Sequence, residues 1–303
     1  MTSSRQKDNK KGQRGSSGKP KASGRPSSTR TVRSRGASAR GKKKSSRITE
    51  KELPLWLHWT LTGFFSALMV YLAFIVFIRP YSYRWKPCYG NKGYGICLPS
   101  GYEVFGIDVS HHQGRIDWDR VANQTDCDRP LKFVMIKSTE GATFKDDNYA
   151  ANIEGARRVG LVCGSYLFFN PASDPAAQAA FFIRNSSVQK GDFPPVVDVE
   201  RHGESADKLR HDLRICLDSL ERHYGVRPLI YTSYKFRQRY LDTPEFDGYT
   251  IWIARYYTDS PGENADWKIW QFTDRGRVGG IGEYTDLNVF NGTESEMGPL
   301  LVR

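Results

Sequence analysis

The sequence predicts an α/β fold, a closed barrel of eight strands, preceded by a single transmembrane helix and a disordered basic tail. Three observations carry that expectation. Between residues 101 and 303, short apolar strand patterns alternate with helical ones. Ahead of them, Leu55–Ile78 forms a run of 24 residues whose only ionisable side chain is His58. Residues 1–52 hold 17 Lys and Arg against three Asp and Glu.

The tail, 1–52, is rich in Ser, Gly, Lys and Arg and almost free of large apolar side chains. It cannot bury enough surface to offset the entropy of ordering, so it is expected to be disordered. The formal charge of +12 resides there, since 28 basic and 30 acidic residues remain beyond it. A basic arm can bind nucleic acid. This one lacks the interleaved aromatics of a stacking platform, and no nucleic-acid partner is expected.

Residues 53–79 are long enough to span a bilayer, which takes about 20 apolar residues. Trp56 and Trp59 at one end, and Tyr81, Tyr83 and Trp85 past the other, suit the two interfacial belts. The preceding Lys and Arg predict a cytoplasmic N-terminus. A cleaved signal peptide fits less well, because the basic region is too long and no small-residue cleavage site follows. Everything after Arg79 is therefore expected outside the cytoplasm, in a periplasm or on the cell-wall face. The tail then acts as a topology signal able to touch anionic lipid.

In the linker, 80–100, Cys88 and Cys97 flank CYGNKGYGIC, and an oxidising compartment would let them close a small disulfide loop. Cys127, Cys163 and Cys216 are scattered; Cys163 in a strand-like run and Cys216 in a helix-like one read as buried thiols. No Cys or His spacing suggests zinc. The adjacent His111 and His112, at a strand end, are expected to point to opposite faces, which argues against a shared metal. No cofactor is expected.

Candidate strands lie at 104–109, 133–138, 162–168, 195–199, 229–232, 251–254, 268–272 and 287–290, and candidate helices at 117–122, 148–159, 175–188 and 206–224. Asp174 is placed to cap the third helix, with Pro175 at its first position. After 232 the connections shorten and fill with Gly, Asp and Pro, with helical character only at 234–240. The alternation predicts a parallel sheet closed on itself, with chemistry at the C-terminal strand ends. Asp198 and Glu200 are spaced i, i+2 there, so they share one face, with Cα atoms about 7 Å apart. Paired acids at the mouth of a buried strand are costly unless paired, hydrogen-bonded or used; the bland alternative is a strand end facing water. Other strand ends carry Asp108, Glu140, Tyr166, Tyr231, Trp252, Tyr256, Trp270 and Asp286. Carboxylates set among aromatics suit a sugar-binding cleft.

With these residues assembled, the chain resembles the lysozymes of glycoside hydrolase family 25. The motifs are GIDVSHHQG at 106–114, FVMIKSTEG at 133–141, GSYLFF at 164–169, PVVDVE at 195–200, PLIYTS at 228–233, IWIARY at 251–256, WQFTD at 270–274 and DLNVFNG at 286–292. The resemblance implies a flattened TIM-like barrel with five β/α units and three closing strands, covering 101–303. It implies a muramidase that cuts the β-1,4 bond between N-acetylmuramic acid and N-acetylglucosamine in peptidoglycan, without metal or organic cofactor. Carried over position by position, Glu200 is the general acid. Asp198 stabilises the developing cation or orients the substrate's acetamido group, and Asp108 and Asp286 complete the site. Their charge is expected to raise the pKa of Glu200. Tyr166, Tyr231 and Trp270 are expected to line the cleft, and Glu140 to sit at its rim, paired with a base such as Lys137. Where family members often have Tyr-His-Phe, this chain has Tyr166-Leu167-Phe168, so a polar contact in the cleft is expected to be missing. No wall-binding repeats follow the barrel, and the membrane anchor is expected to supply localisation. Competing readings are a catalytically silent peptidoglycan-binding protein on the same barrel and a scaffold acting through the basic arm. Oligomeric state is left open.

Overall fold

A computed structural model describes residues 54–79, 88, 90–124, 128–262 and 267–303. The basic tail, Tyr81, Tyr83, Trp85 and Cys127 lie outside the described residues. The chain divides into two units between Phe65 and Ser66. Helix α1, Leu55–Ala73, continues as a π-helical turn, Phe74–Ile78. Together they make 24 residues of mean hydropathy 2.3 with none buried, long and apolar enough to cross a membrane. The Thr60 and Thr62 hydroxyls donate to the carbonyls of Leu57 and His58, so neither is left unsatisfied on an apolar helix.

Eight strands close a barrel: β1 Val104–Val109, β2 Leu131–Glu140, β3 Val162–Phe168, β4 Val196–Asp198, β5 Leu229–Ser233, β6 Ile251–Ala254, β7 Trp267–Gly276 and β8 Thr285–Phe290. β1 to β7 pair in parallel, each with the next. The expectation of a wholly parallel sheet fails at the last strand, because β8 runs antiparallel to both β7 and β1. The short connection from Gly276 to Thr285 is a hairpin, whereas a parallel return needs a crossover of a dozen residues or more.

Helices α2 Trp118–Ala122, α3 Tyr149–Arg158, α4 Pro175–Asn185 and α5 Ala206–Tyr224 follow the first four strands in turn. Asp174 caps α4 by accepting from the Ala177 N–H at 2.7 Å, with Pro175 at the start. On α5 the buried set Leu209, Leu213, Cys216, Leu217 and Leu220 forms one stripe, spaced as a helix face requires. It packs into a layer between helices and barrel with Ile107, Val134, Leu167, Val197, Ile230 and Ile253. Strand alternation sends Val104, Phe133, Met135, Val196, Leu229, Trp252, Ile269 and Phe290 into the barrel interior, where they form a second cluster.

The interior has no spare room at Gly106. A Cβ there would lie 2.4 Å from the Phe133 ring. Gly106→Ala is therefore expected to destabilise the protein by about 1–3 kcal/mol through overpacking. Thermal unfolding in detergent should show a fall of roughly 2–4 °C per kcal/mol; an unchanged midpoint would mean that the ring can yield.

Cys88 and Cys97 are joined, with Cα atoms 5.5 Å apart, closing the loop that their spacing allowed. The loop holds a two-stranded ribbon, Lys92–Gly93 with Ile96–Cys97. Tyr94 and Gly95 both take positive φ at its turn, the backbone that a two-residue hairpin requires. Cys163 and Cys216 are buried thiols. His111 and His112 depart from expectation: they stand on a short 3₁₀ helix, His111–Gln113, and their rings lie together, centroids 4.1 Å apart. The reason is that β1 has already ended at Val109, so strand alternation no longer applies. His111 Nδ1 lies 2.8 Å from the buried Asp146 carboxylate. Among the described residues no group of His, Cys, Asp or Glu is arranged to hold a metal ion.

Candidate active site

The C-terminal ends of β1 and β4 and the beginning of β8 meet at one mouth of the barrel. Because β8 runs the other way, its first residues arrive where the other strands finish. Asp286 on β8 is thus the direct cross-strand partner of Asp108 on β1. Asp198 ends β4, paired with Phe168 on β3 and Tyr231 on β5. Glu200 follows two residues later, after the Val199 N–H has donated to the Tyr231 carbonyl at 2.9 Å. The four carboxylates expected from the sequence are therefore gathered.

Asp108 is held from two sides. Its Oδ2 accepts from Gln271 Nε2 and from Asn288 Nδ2, each at 2.7 Å. Both amides are oriented in turn. Tyr231 and Tyr256 donate their hydroxyls to Gln271 Oε1 at 2.8 and 2.6 Å, and the Trp252 indole N–H donates to Asn288 Oδ1 at 2.8 Å. A buried network satisfied in this way fixes one geometry. Burial raises the Asp108 pKa to about 6, against the two amide bonds, with the charge of Glu200 adding to the rise. At Asp286, burial and then the charges of Asp108 and Asp274 raise it to about 9.

Asp198 is 6% exposed and its Oδ1 has no hydrogen-bond partner. Burial, then Glu200 and Asp108, push its pKa well above the usual range, while the Lys137 ammonium opposes them. Much of the Glu200 surface reaches solvent, yet protein crowds its carboxyl, and this burial raises its pKa. The neighbouring Tyr231 hydroxyl and Arg201 favour its charged form. The expected cause was different: burial, rather than the charge of Asp108 and Asp286, lifts Glu200, and burial is also the first cause at those two, with Glu200 a minor one.

The aromatic expectations divide. Tyr166 and Tyr231 face the interior, Tyr166 beside Asp108, Asp198 and Asp286, and Tyr231 bonded to Gln271. Trp270 does not join them. It is fully buried in the layer outside the barrel, ring against Tyr102, Trp267 and Phe272, with its indole N–H donating to the Arg255 carbonyl at 2.9 Å. Alternation along β7 puts Ile269 and Gln271 inward and Trp270 outward, so Gln271 is the residue of that motif at the mouth. Asn288 was missed in the same way; its position two residues from Asp286 was the available signal. Leu167 is also fully buried in the outer layer, so the departure from Tyr-His-Phe removes no polar contact from the mouth. Lys137 and Glu140 do form the expected rim pair, at 2.7 Å.

Opposed acids carry a cost that pH should reveal. A carboxyl whose pKa is raised in the folded chain contributes stability that is complete below its unfolded value, about 3.9, and lost as pH rises through the folded one. For Asp286 that window runs up to about 9. Asp286→Asn removes the loss, so its melting temperature is expected to exceed that of the unsubstituted protein by a few degrees near pH 8 and to converge with it near pH 4. Parallel melts at the two pH values test this; a gap of equal size at both would rule out ionisation as its source.

Comparison with known proteins agrees with this geometry. The model of glycosyl hydrolases family 25 matches residues 107–281. The uncharacterized protein YegX of Escherichia coli K12 is 37% identical over 240 residues, 78% of this chain and 85% of its own length. Lysozyme M1 of Streptomyces globisporus is 31% identical over 212 residues, covering 64% of this chain and 70% of its own. Among solved structures, a family 25 glycosyl hydrolase from Bacillus anthracis matches with a TM-score of 0.60 at 31% identity, covering 71% of this chain and 98% of that one. The bacterial lysozyme from Streptomyces coelicolor matches with a TM-score of 0.61 at 29% identity, covering 67% and 98%. The family match over residues 107–281, with relatives and solved structures named as lysozymes and a family 25 glycosyl hydrolase, places the chain in glycosyl hydrolase family 25, as a glycoside hydrolase of the lysozyme or muramidase type.

Proposed function

We propose that the protein is a membrane-anchored muramidase acting on peptidoglycan outside the cytoplasm, at the β-1,4 bond between N-acetylmuramic acid and N-acetylglucosamine. The observation that carries this reading is the orphaned Oδ1 of buried Asp198, two residues from a Glu200 whose pKa is raised. Glu200, kept protonated toward neutral pH by burial, gives its proton to the leaving glycosidic oxygen. An incoming acetamido group donates its N–H to the unpartnered oxygen of Asp198, which turns its carbonyl oxygen toward the anomeric carbon; the same carboxyl then faces the positive charge that develops as the glycosidic bond breaks. Asp108, locked by Gln271 and Asn288, and Asp286 shape the acidic floor, with Tyr166 and Tyr231 as its walls. Leu55–Ile78 serves as a retained anchor with the N-terminus in the cytoplasm, holding the barrel close to its polymer.

Mass spectrometry of fragments released from purified peptidoglycan tests the reading. The protein is expected to leave N-acetylmuramic acid at new reducing ends, and Glu200→Gln to release them at least about 100-fold more slowly. Binding without cleavage across several wall chemistries would favour the silent binding protein instead. The rate should peak on the acid side of neutrality and fall as Glu200 loses its proton; a profile flat across about pH 4 to 9 would remove Glu200 as the acid.

A further inference from the structure

Beside the acidic floor, β2, β3 and the segment after β4 gather two cations around Glu140, with Lys137 also acting on Asp198 and Arg201 on Glu200. Lys137 points inward from β2 with its side chain only 8% exposed, its Nζ donating to Glu140 Oε2 at 2.7 Å. Arg201, the residue after Glu200, brings Nη1 to 3.9 Å from the other Glu140 oxygen. Both cations lie over Phe168, with Nζ 5.0 Å and the guanidinium carbon 4.8 Å from the ring centroid. One carboxylate thus faces two cations. The two contacts of Glu140 differ in kind: Lys137 is buried and hydrogen-bonded, whereas Arg201 is 58% exposed and beyond hydrogen-bond range. Lys137 is the fixed member and Arg201 the one able to turn to a ligand.

A mouth lined by acids offers a negatively charged glycan no favourable partner unless cations stand where its charge arrives. We propose that Arg201, backed by the Lys137–Glu140 pair and the face of Phe168, is a specificity residue that binds a carboxylate borne on the muramyl residue of the substrate, beside the bond that is cut. This rests on the muramidase reading and deepens it. The planar guanidinium matches a carboxylate with two parallel donors, which an ammonium cannot do. Two sources share this chemistry: the lactyl carboxylate itself, or the acidic peptide attached through it.

The test measures binding by the full-length protein in detergent, in a Glu200→Gln background so that the glycan survives. Three soluble ligands are compared: peptide-bearing glycan chains, chains stripped of peptide that keep the lactyl carboxylate, and an uncharged chito-oligosaccharide. Carboxylate-bearing chains are expected to bind about tenfold more tightly than the uncharged one at low salt. Arg201→Gln should abolish that preference, and Arg201→Lys should restore part of it. Tighter binding of the stripped chains would assign the site to the lactyl carboxylate, which the attached peptide converts to an amide, and a preference confined to peptide-bearing chains would assign it to the peptide. No preference in the Arg201 protein, or one that survives Arg201→Gln, would overturn the proposal. Peptidoglycan cleavage by the chain with Glu200 intact is scored separately, so failure to cleave with the charge preference retained would sink the muramidase reading and leave the subsite standing.

Discussion

Glu200→Gln is expected to lower the rate of peptidoglycan cleavage by about 10²- to 10⁴-fold, the range that a positioned general acid supplies. The amide has nearly the same shape but cannot deliver a proton to the leaving oxygen. Glu200 stands at the rim, so the barrel core is untouched and the melting temperature should change little. A substrate whose leaving group needs no proton separates loss of acid catalysis from loss of structure. On an aryl glycoside of a chito-oligosaccharide with an acidic phenol, the defect should shrink by an order of magnitude or more. A defect of equal size on both substrates would mean that Glu200 acts by some route other than protonation.

Asp198→Asn is expected to cost about 10²- to 10³-fold in the same assay, and the aryl leaving group should not rescue it. The carboxylate is asked to face positive charge at the anomeric centre and to hold the acetamido group, and neither task depends on the leaving oxygen. The same change should raise the melting temperature near neutral pH. Asp198 is buried with one oxygen unpartnered, and its pKa is pushed up first by burial and then by Glu200 and Asp108. Stability linked to such a group is complete below its unfolded pKa and is lost as pH rises through the folded one, so the amide gains where the acid would ionise. Lower activity together with higher stability is the signature of strain kept for function. A variant that loses both would instead place Asp198 in the structural framework.

The contrast between the two acids follows from where the chain leaves β4. Asp198 is its last residue, fully inside the ladder, whereas Glu200 lies beyond the strand, with Arg201 next to it. Spacing alone could predict one shared face. It could not predict that one acid is sealed and the other half open.

The sequence by itself determined the order of strands and helices, because each strand is a short apolar run and each early helix carries its own cap or stripe, all local signals. It also singled out Asp108, Asp198 and Glu200, which stand at the ends of apolar strands that converge in a closed barrel, whereas Asp286, which opens the last strand, was placed with them by the family resemblance alone. Only the tertiary structure decided that β8 turns back antiparallel and so presents Asp286 opposite Asp108. It likewise decided that Gln271 and Asn288, rather than Trp270, reach the mouth, and that Lys137 and Arg201 share Glu140 there. These depend on hairpin closure, on which way each pleat faces and on contacts between residues far apart in the chain, and no local pattern encodes them.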